Sequence, residues 1–322
     1  MNRMLIVGGT GETGSWFARY FKRRGFRVTV WGPSGKREVA EEMGVGYAED
    51  LIREVKESDV VLLSVPIDRT AEVIEELGPN MKIGSLLMDV ASLKSEPMRA
   101  MLEHAPGDVE VLGTHPMFGP TMKGIGGQTM ILVPAKGRCE MWLPIMRTLF
   151  QEDGARVEIV GPEEHDQIMA VVQALTHFAY ISIGATLKTL DFDVAGSRSF
   201  MSPVYEIMID FVGRILAQNP ELYANIQENP RARRVRDTYI KECISLAEMT
   251  DHGDREGFVK VMKDAAEHFQ AREEALMRSD RLIEMKIKDK DEQRPDVGGR
   301  DRGDYTADAT RRDVDGSERG RF

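Results

Sequence analysis

The segment Thr114-His115-Pro116-Met117-Phe118-Gly119-Pro120 sets one titratable imidazole among apolar residues and turn formers. A neutral histidine accepts a proton near pH 7, and oxidation of a hydroxyl by hydride transfer needs such a base. Far upstream, Gly9-Thr10-Gly11-Glu12-Thr13-Gly14 follows a short apolar run and opens a helix-like stretch. That is the context a dinucleotide-binding fingerprint requires. The first glycine permits a tight turn, the second lets a pyrophosphate approach the backbone, and the third lets helix and strand pack closely. The phosphates would then sit at the helix N-terminus. Together the two segments suggest a base facing a nicotinamide. Read alone, a histidine before proline is equally a turn residue.

Cofactor choice is read at the end of the second strand, near Trp31-Gly32. A carboxylate there would hold the ribose hydroxyls of NAD. Here the sequence continues Pro33, Ser34, Gly35, Lys36, Arg37. A hydroxyl and two cations suit the extra phosphate of NADP, with NAD as the alternative. The competing reading is that Lys36 and Arg37 only open a solvated helix.

These groups need a scaffold. Arg3–Val7, Arg27–Trp31, Val60–Ser64, Leu86–Asp89, Val109–Leu112, Met130–Val133 and Val157–Val160 are short apolar runs, several with helical segments between them. This alternation predicts an α/β fold with a Rossmann-type, doubly wound parallel sheet over residues 1–160. The last two or three strands are expected to pair antiparallel at an edge. The character changes at Gly161-Pro162-Glu163-Glu164, a helix start with proline in the first turn and carboxylates at the positive end of the dipole. From there to 286 the pattern is helical, broken at Ser202-Pro203, Asn219-Pro220, Asn229-Pro230 and His252-Gly253. An apolar stretch such as Ile168–Leu190 predicts burial between subunits, hence an all-helical dimerisation domain over 161–286 and a homodimer. Residues 287–322 are too polar to build a core and are expected to be a disordered charged tail.

Composition narrows the classes. The formal charge is −10, from 43 basic and 53 acidic residues, which argues against nucleic acid as a partner. Two cysteines, Cys139 and Cys243, without a CxxC spacing suggest neither a metal site nor a disulfide framework. No apolar run is expected to span a membrane and no signal peptide is evident, so a cytoplasmic protein is expected.

The chain resembles the prephenate dehydrogenases. The resemblance rests on His115-Pro116-Met117-Phe118-Gly119-Pro120, Glu164-His165-Asp166-Gln167, Gln173-Ala174-Leu175-Thr176-His177-Phe178, Ser202-Pro203-Val204-Tyr205, Val212-Gly213-Arg214 and Ala217-Gln218-Asn219-Pro220-Glu221-Leu222-Tyr223. It is especially close to the dehydrogenase half of bifunctional enzymes that also carry a chorismate mutase. Neither end of this chain is expected to supply a mutase or a regulatory domain. The resemblance implies NAD(P)-dependent oxidative decarboxylation of prephenate to 4-hydroxyphenylpyruvate, in tyrosine biosynthesis. It implies that His115 accepts a hydrogen bond from the substrate's C4 hydroxyl and that Ser92 bonds both. Arg214 would hold the ring carboxylate, with His165, His177 and Tyr223 lining the site. Glu206 stands where close relatives have a second arginine, so a two-arginine clamp is not expected.

Alternatives remain open at this point. Arg214, in the apolar run Ile207–Leu216, could instead pair with Asp210. His165 could bond only Glu164 or the backbone. His177 follows it by twelve residues, which at about 100° per residue is about 120° off its face. Arogenate dehydrogenase, a β-hydroxyacid or imine dehydrogenase, and a nicotinamide-sensing binding protein are the rival functions.

Overall fold

The computed structural model describes residues 2–292. Its strands are β1 (Arg3–Val7), β2 (Arg27–Trp31), β3 (Gly46–Tyr47), β4 (Val60–Leu63), β5 (Leu86–Asp89), β6 (Glu110–Pro116), β7 (Thr129–Pro134) and β8 (Arg156–Ile159). They form one sheet in the order β3-β2-β1-β4-β5-β6-β7-β8. Pairing is parallel from β3 across to β6, antiparallel between β6 and β7, and parallel again between β7 and β8. Strand order reverses between β1 and β4, the crevice where open α/β sheets bind ligands.

The central strands are apolar almost throughout because both faces are covered. In β1, Met4 and Ile6 pack into one core while Leu5 and Val7 pack into the other. The helix Glu12–Arg23 buries Trp16, Phe17, Tyr20 and Phe21 on one face, the spacing of an amphipathic helix. The two-residue β3 carries no sequence signal of its own. β6 is longer than the expected Val109–Leu112 and runs through His115 to Pro116, because β7 pairs with it as far as Pro116↔Met130. His115 therefore stands on a strand rather than in a turn.

Residues up to Val261 form one compact unit and those from Met262 a second. In the first, helices follow β8 at Pro162–Met169, Thr176–Thr189, Pro203–Leu216, Pro220–Gln227 and Ala232–Asp251. The first two are joined by a π-helical segment, Ala170–Leu175. The resulting helix, Pro162–Thr189, holds an 18-residue window of mean hydropathy 1.5, long and apolar enough to cross a membrane, which corrects the expectation that no stretch reaches that length. In the second unit the helix Arg272–Glu292 runs through the first residues of the expected tail. Residues 293–322 lie outside the described residues.

Candidate active site

The glycine loop behaves as a phosphate cradle, with one reassignment. The tight turn falls on Gly8, at φ 81°, where a side chain would stand 2.1 Å from the Ser64 carbonyl. Gly9 instead makes room for Val30, 2.6 Å from where its Cβ would be. A Cβ on Gly14 would lie 2.2 Å from the Gly8 carbonyl, so helix and strand close on each other there. Gly11 faces open space apart from that same carbonyl at 3.4 Å. The helix beginning at Glu12 has no side-chain cap. Its first N–H groups are left for an anion, and Thr10 and Thr13 flank them. These features fit a dinucleotide's pyrophosphate.

At the far end of the loop, Ser34, Lys36 and Arg37 are exposed. The Arg37 guanidinium pairs with Glu49 and lies 5.7 Å from the centre of the Tyr47 ring. Tyr47 in turn donates to the Gly32 carbonyl at 3.2 Å. No acidic residue ends β2, but Glu49 comes beside Arg37 from the segment after β3. Sequence spacing could not show this carboxylate, because it lies beyond the next strand.

The chemistry-bearing cluster lies at the C-terminal end of β6. His115 is buried, with Nδ1 2.9 Å from His165 Nε2 and Nε2 3.5 Å from the Gln173 amide nitrogen. His165 is fully buried, and its Nδ1 lies 2.9 Å from Asp166 Oδ1. Asp166 also accepts the backbone N–H groups of Lys94 at 2.8 Å and Ser95 at 2.9 Å. Beneath them Lys94 and Asp89 form an ion pair with no exposed surface. Gly113 makes room for this pair, since a Cβ there would stand 2.8 Å from Lys94 Cδ.

Electrostatics hold both imidazoles neutral. Burial pushes the His115 pKa well below its usual range, and positive charge on His165 and Lys94 pushes the same way against Asp166. Burial likewise lowers His165, although its hydrogen bond to Asp166 opposes this. Burial alone would raise Asp166; hydrogen bonds from His165, Ser95 and Lys94 outweigh it and hold the carboxyl at about 2. An ionised carboxylate thus lies behind two neutral histidines.

The expected Ser92–His115 hydrogen bond is absent: Ser92 is half-buried in the loop after β5, while His165 and Gln173 take the two imidazole nitrogens. Between His165 and His177 the helix does not keep the regular α-helical turn of about 100° per residue. A π-helical segment closes i to i+5 and turns less per residue than an α-helix. Gln173, within this segment, reaches His115.

His177 meets the Tyr223 ring edge-on, with centroids 4.6 Å apart. Burial lowers His177 to about 4. Burial raises the Tyr223 phenol, and the positive charge of Arg214 partly offsets it. Arg214 itself is exposed, contrary to the buried cation expected from the apolar run around it. Glu206, earlier on the same helix, is buried. Gln173 Oε1, His177 Nδ1 and the Tyr205 hydroxyl are buried without hydrogen-bond partners. Buried polar atoms of this kind call for an explanation, and a polar ligand supplies one. Gln173 and the Lys94–Asp89 pair carry no role in the sequence reading. The motif holding Gln173 was visible; the burial of Lys94 was not.

Comparison with known proteins identifies the family. The prephenate dehydrogenase nucleotide-binding domain matches residues 17–159, beginning after the glycine loop, and the prephenate dehydrogenase dimerization domain matches 161–264. A probable arogenate/prephenate dehydrogenase of Methanocaldococcus jannaschii is 47% identical over 269 residues, 82% of this chain and 60% of that protein. The chain therefore spans less than two thirds of that relative. The T-protein of Haemophilus influenzae is 31% identical over 88% of this chain and 71% of its own length. The crystal structure of prephenate dehydrogenase from A. aeolicus, in complex with hydroxyphenyl propionate and NAD+, superimposes with a TM-score of 0.67. It is 22% identical, over 84% of this chain and 98% of that one, a likeness of fold. On the two domain matches and these identities, the chain belongs to the prephenate dehydrogenase family.

Proposed function

We propose that this protein is a cytoplasmic prephenate dehydrogenase, oxidising prephenate to 4-hydroxyphenylpyruvate in tyrosine biosynthesis with NADP as the preferred cofactor. The observation that carries the reading is a buried, neutral His115 whose Nε2 faces Gln173, on the helical stretch that also carries His177, itself packed on Tyr223.

Gly9, Thr10, Gly11, Glu12, Thr13 and Gly14 would hold the cofactor's phosphates, with Ser34, Lys36 and Arg37 at the 2′-phosphate. A nicotinamide held there would supply the acceptor for the hydride that leaves the substrate's C4. His115 Nε2 accepts the hydrogen bond of the C4 hydroxyl, which becomes far more acidic as the hydride departs. Ser92 would orient that hydroxyl from the loop after β5. Arg214 holds the ring carboxylate, and its departure as carbon dioxide leaves an aromatic ring. The protein's main task is to orient C4 and keep the imidazole neutral. Arogenate, which differs at the side chain, is the second reading, supported by the name of the Methanocaldococcus relative.

The protein is proposed to act as a homodimer. Ile168, Val171, Val172 and Leu190 are exposed on its longest apolar helical stretch, and the matching domain is a dimerization domain. That role accounts for the apolar helix better than a membrane does. A steady-state assay crossing prephenate and arogenate with NAD and NADP tests the reaction. Turnover with neither substrate would overturn it, and sedimentation showing an active monomer would overturn the dimer.

A further inference from the structure

We infer that Asp166 and His165 are positioning residues that lock His115 in the Nδ1–H tautomer, so that its Nε2 lone pair faces the substrate. The inference rests on the proposed reaction and assigns His165 away from the substrate-lining role that its motif suggested.

Each proton in the chain is dictated by its neighbour. Asp166 is ionised and accepts only, so His165 Nδ1 donates to it across 2.9 Å. A neutral imidazole carries one N–H, and His165 has spent it on Asp166. Its Nε2 is therefore an acceptor, and the 2.9 Å contact to His115 Nδ1 requires His115 to donate. With that proton on Nδ1, His115 Nε2 is bare. The Gln173 amide nitrogen facing it at 3.5 Å is a donor, consistent with a lone pair there.

Burial makes the arrangement strict, since an imidazole in the other tautomer would oppose N–H to N–H or leave a buried donor unsatisfied. The charged and titratable groups around the pair are few. Lys94 and Asp89 lie below, from β5 and the loop after it, and Asp166 lies on the helix that carries His165. When the substrate's O–H bond breaks, the proton forms the Nε2–H bond of His115. The imidazolium then donates more strongly to His165, with the Asp166 carboxylate one ring away. The same logic orients the histidine of carboxylate–histidine pairs in other enzymes.

The side chain of His165 bonds only His115 and Asp166, so it can be changed without touching a backbone contact. In the holoenzyme, His165→Leu is expected to lower kcat by about 10–100-fold, with the substrate KM within about twofold. His165→Gln, whose Oε1 can accept from His115 Nδ1, should recover most of that loss. Nitrogen-15 spectra of the imidazoles at neutral pH should show wild-type His115 protonated at Nδ1. A His165→Leu enzyme with wild-type kcat, or wild-type His115 protonated at Nε2, overturns the inference. Should His165→Leu fail to fold, the glutamine variant and the wild-type spectrum decide the question. Should the wild type oxidise neither prephenate nor arogenate, the functional reading falls, while the spectrum still decides the tautomer.

Discussion

Lys94 and Asp89 pair without exposed surface near His115 and His165, where burial works against the charge on each, lowering the pKa of Lys94 and raising that of Asp89. A charge so placed is stable only with its partner. Lys94→Met alone should cost about 3–5 kcal/mol, because it strands a buried carboxylate. The double variant Lys94→Met, Asp89→Leu should recover most of that loss, since an apolar pair of similar volume needs no desolvation. Urea unfolding measures both. Equal losses in the single and double variants would show that the pair contributes through packing alone.

His115→Asn should lower kcat by roughly 10²–10⁴ with KM little changed, as loss of a general base requires. Rapid-quench or steady-state kinetics report this directly. A tenfold or smaller loss would sink the role.

The buried histidines also set a pH dependence. His115 and His165 have folded pKa values below the unfolded value of about 6.5, chiefly through burial. The unfolded chain therefore binds more protons below about pH 6.5, so stability is full above it and falls as pH drops towards the folded values. Asp166, held at about 2, adds stability that persists until pH passes below the ordinary carboxylate range. The denaturation midpoint should decline on acidification below about pH 6.5 and be flat just above it. The acid limb of kcat/KM should lie lower than that of a free histidine. A midpoint that rises on mild acidification would contradict neutral burial.

Arg214→Gln should raise the KM for prephenate about 10–100-fold, by loss of a charge-assisted hydrogen bond. Lysine at this position should restore only part, because a point charge cannot reproduce the guanidinium fork. Loss of fold or dimer with an unchanged KM would make the arginine structural.

Cofactor choice is better tested at Arg37 than at Gly32. An added Cβ at Gly32 would stand 2.1 Å from Thr10 Oγ1, so Gly32→Asp disturbs the phosphate loop as well as the charge. Arg37→Ala should lower kcat/KM for NADP by about tenfold and leave NAD nearly unaffected. A wild type that already favours NAD would overturn the 2′-phosphate role given to Ser34, Lys36 and Arg37.

The sequence alone determined the layers of this protein. Short apolar runs with helical segments between them imply a sheet covered on both faces, and the proline-marked helix start at Gly161 divides sheet from helices, because both signals are local. The glycine loop and the histidine of the His-Pro segment were legible for the same reason. Local patterns could not show that the turn falls on Gly8, that β6 carries His115 as a strand, or that Glu49 reaches Arg37. Nor could they show the line from Asp166 through His165 to His115. Asp166 and His165 are adjacent, but His115 lies 50 residues away on another element. Only the packing of the Pro162–Met169 helix against the loop after β5 and the end of β6 brings these groups into one line. Which nitrogen of His115 carries the proton follows from that packing and not from any residue type.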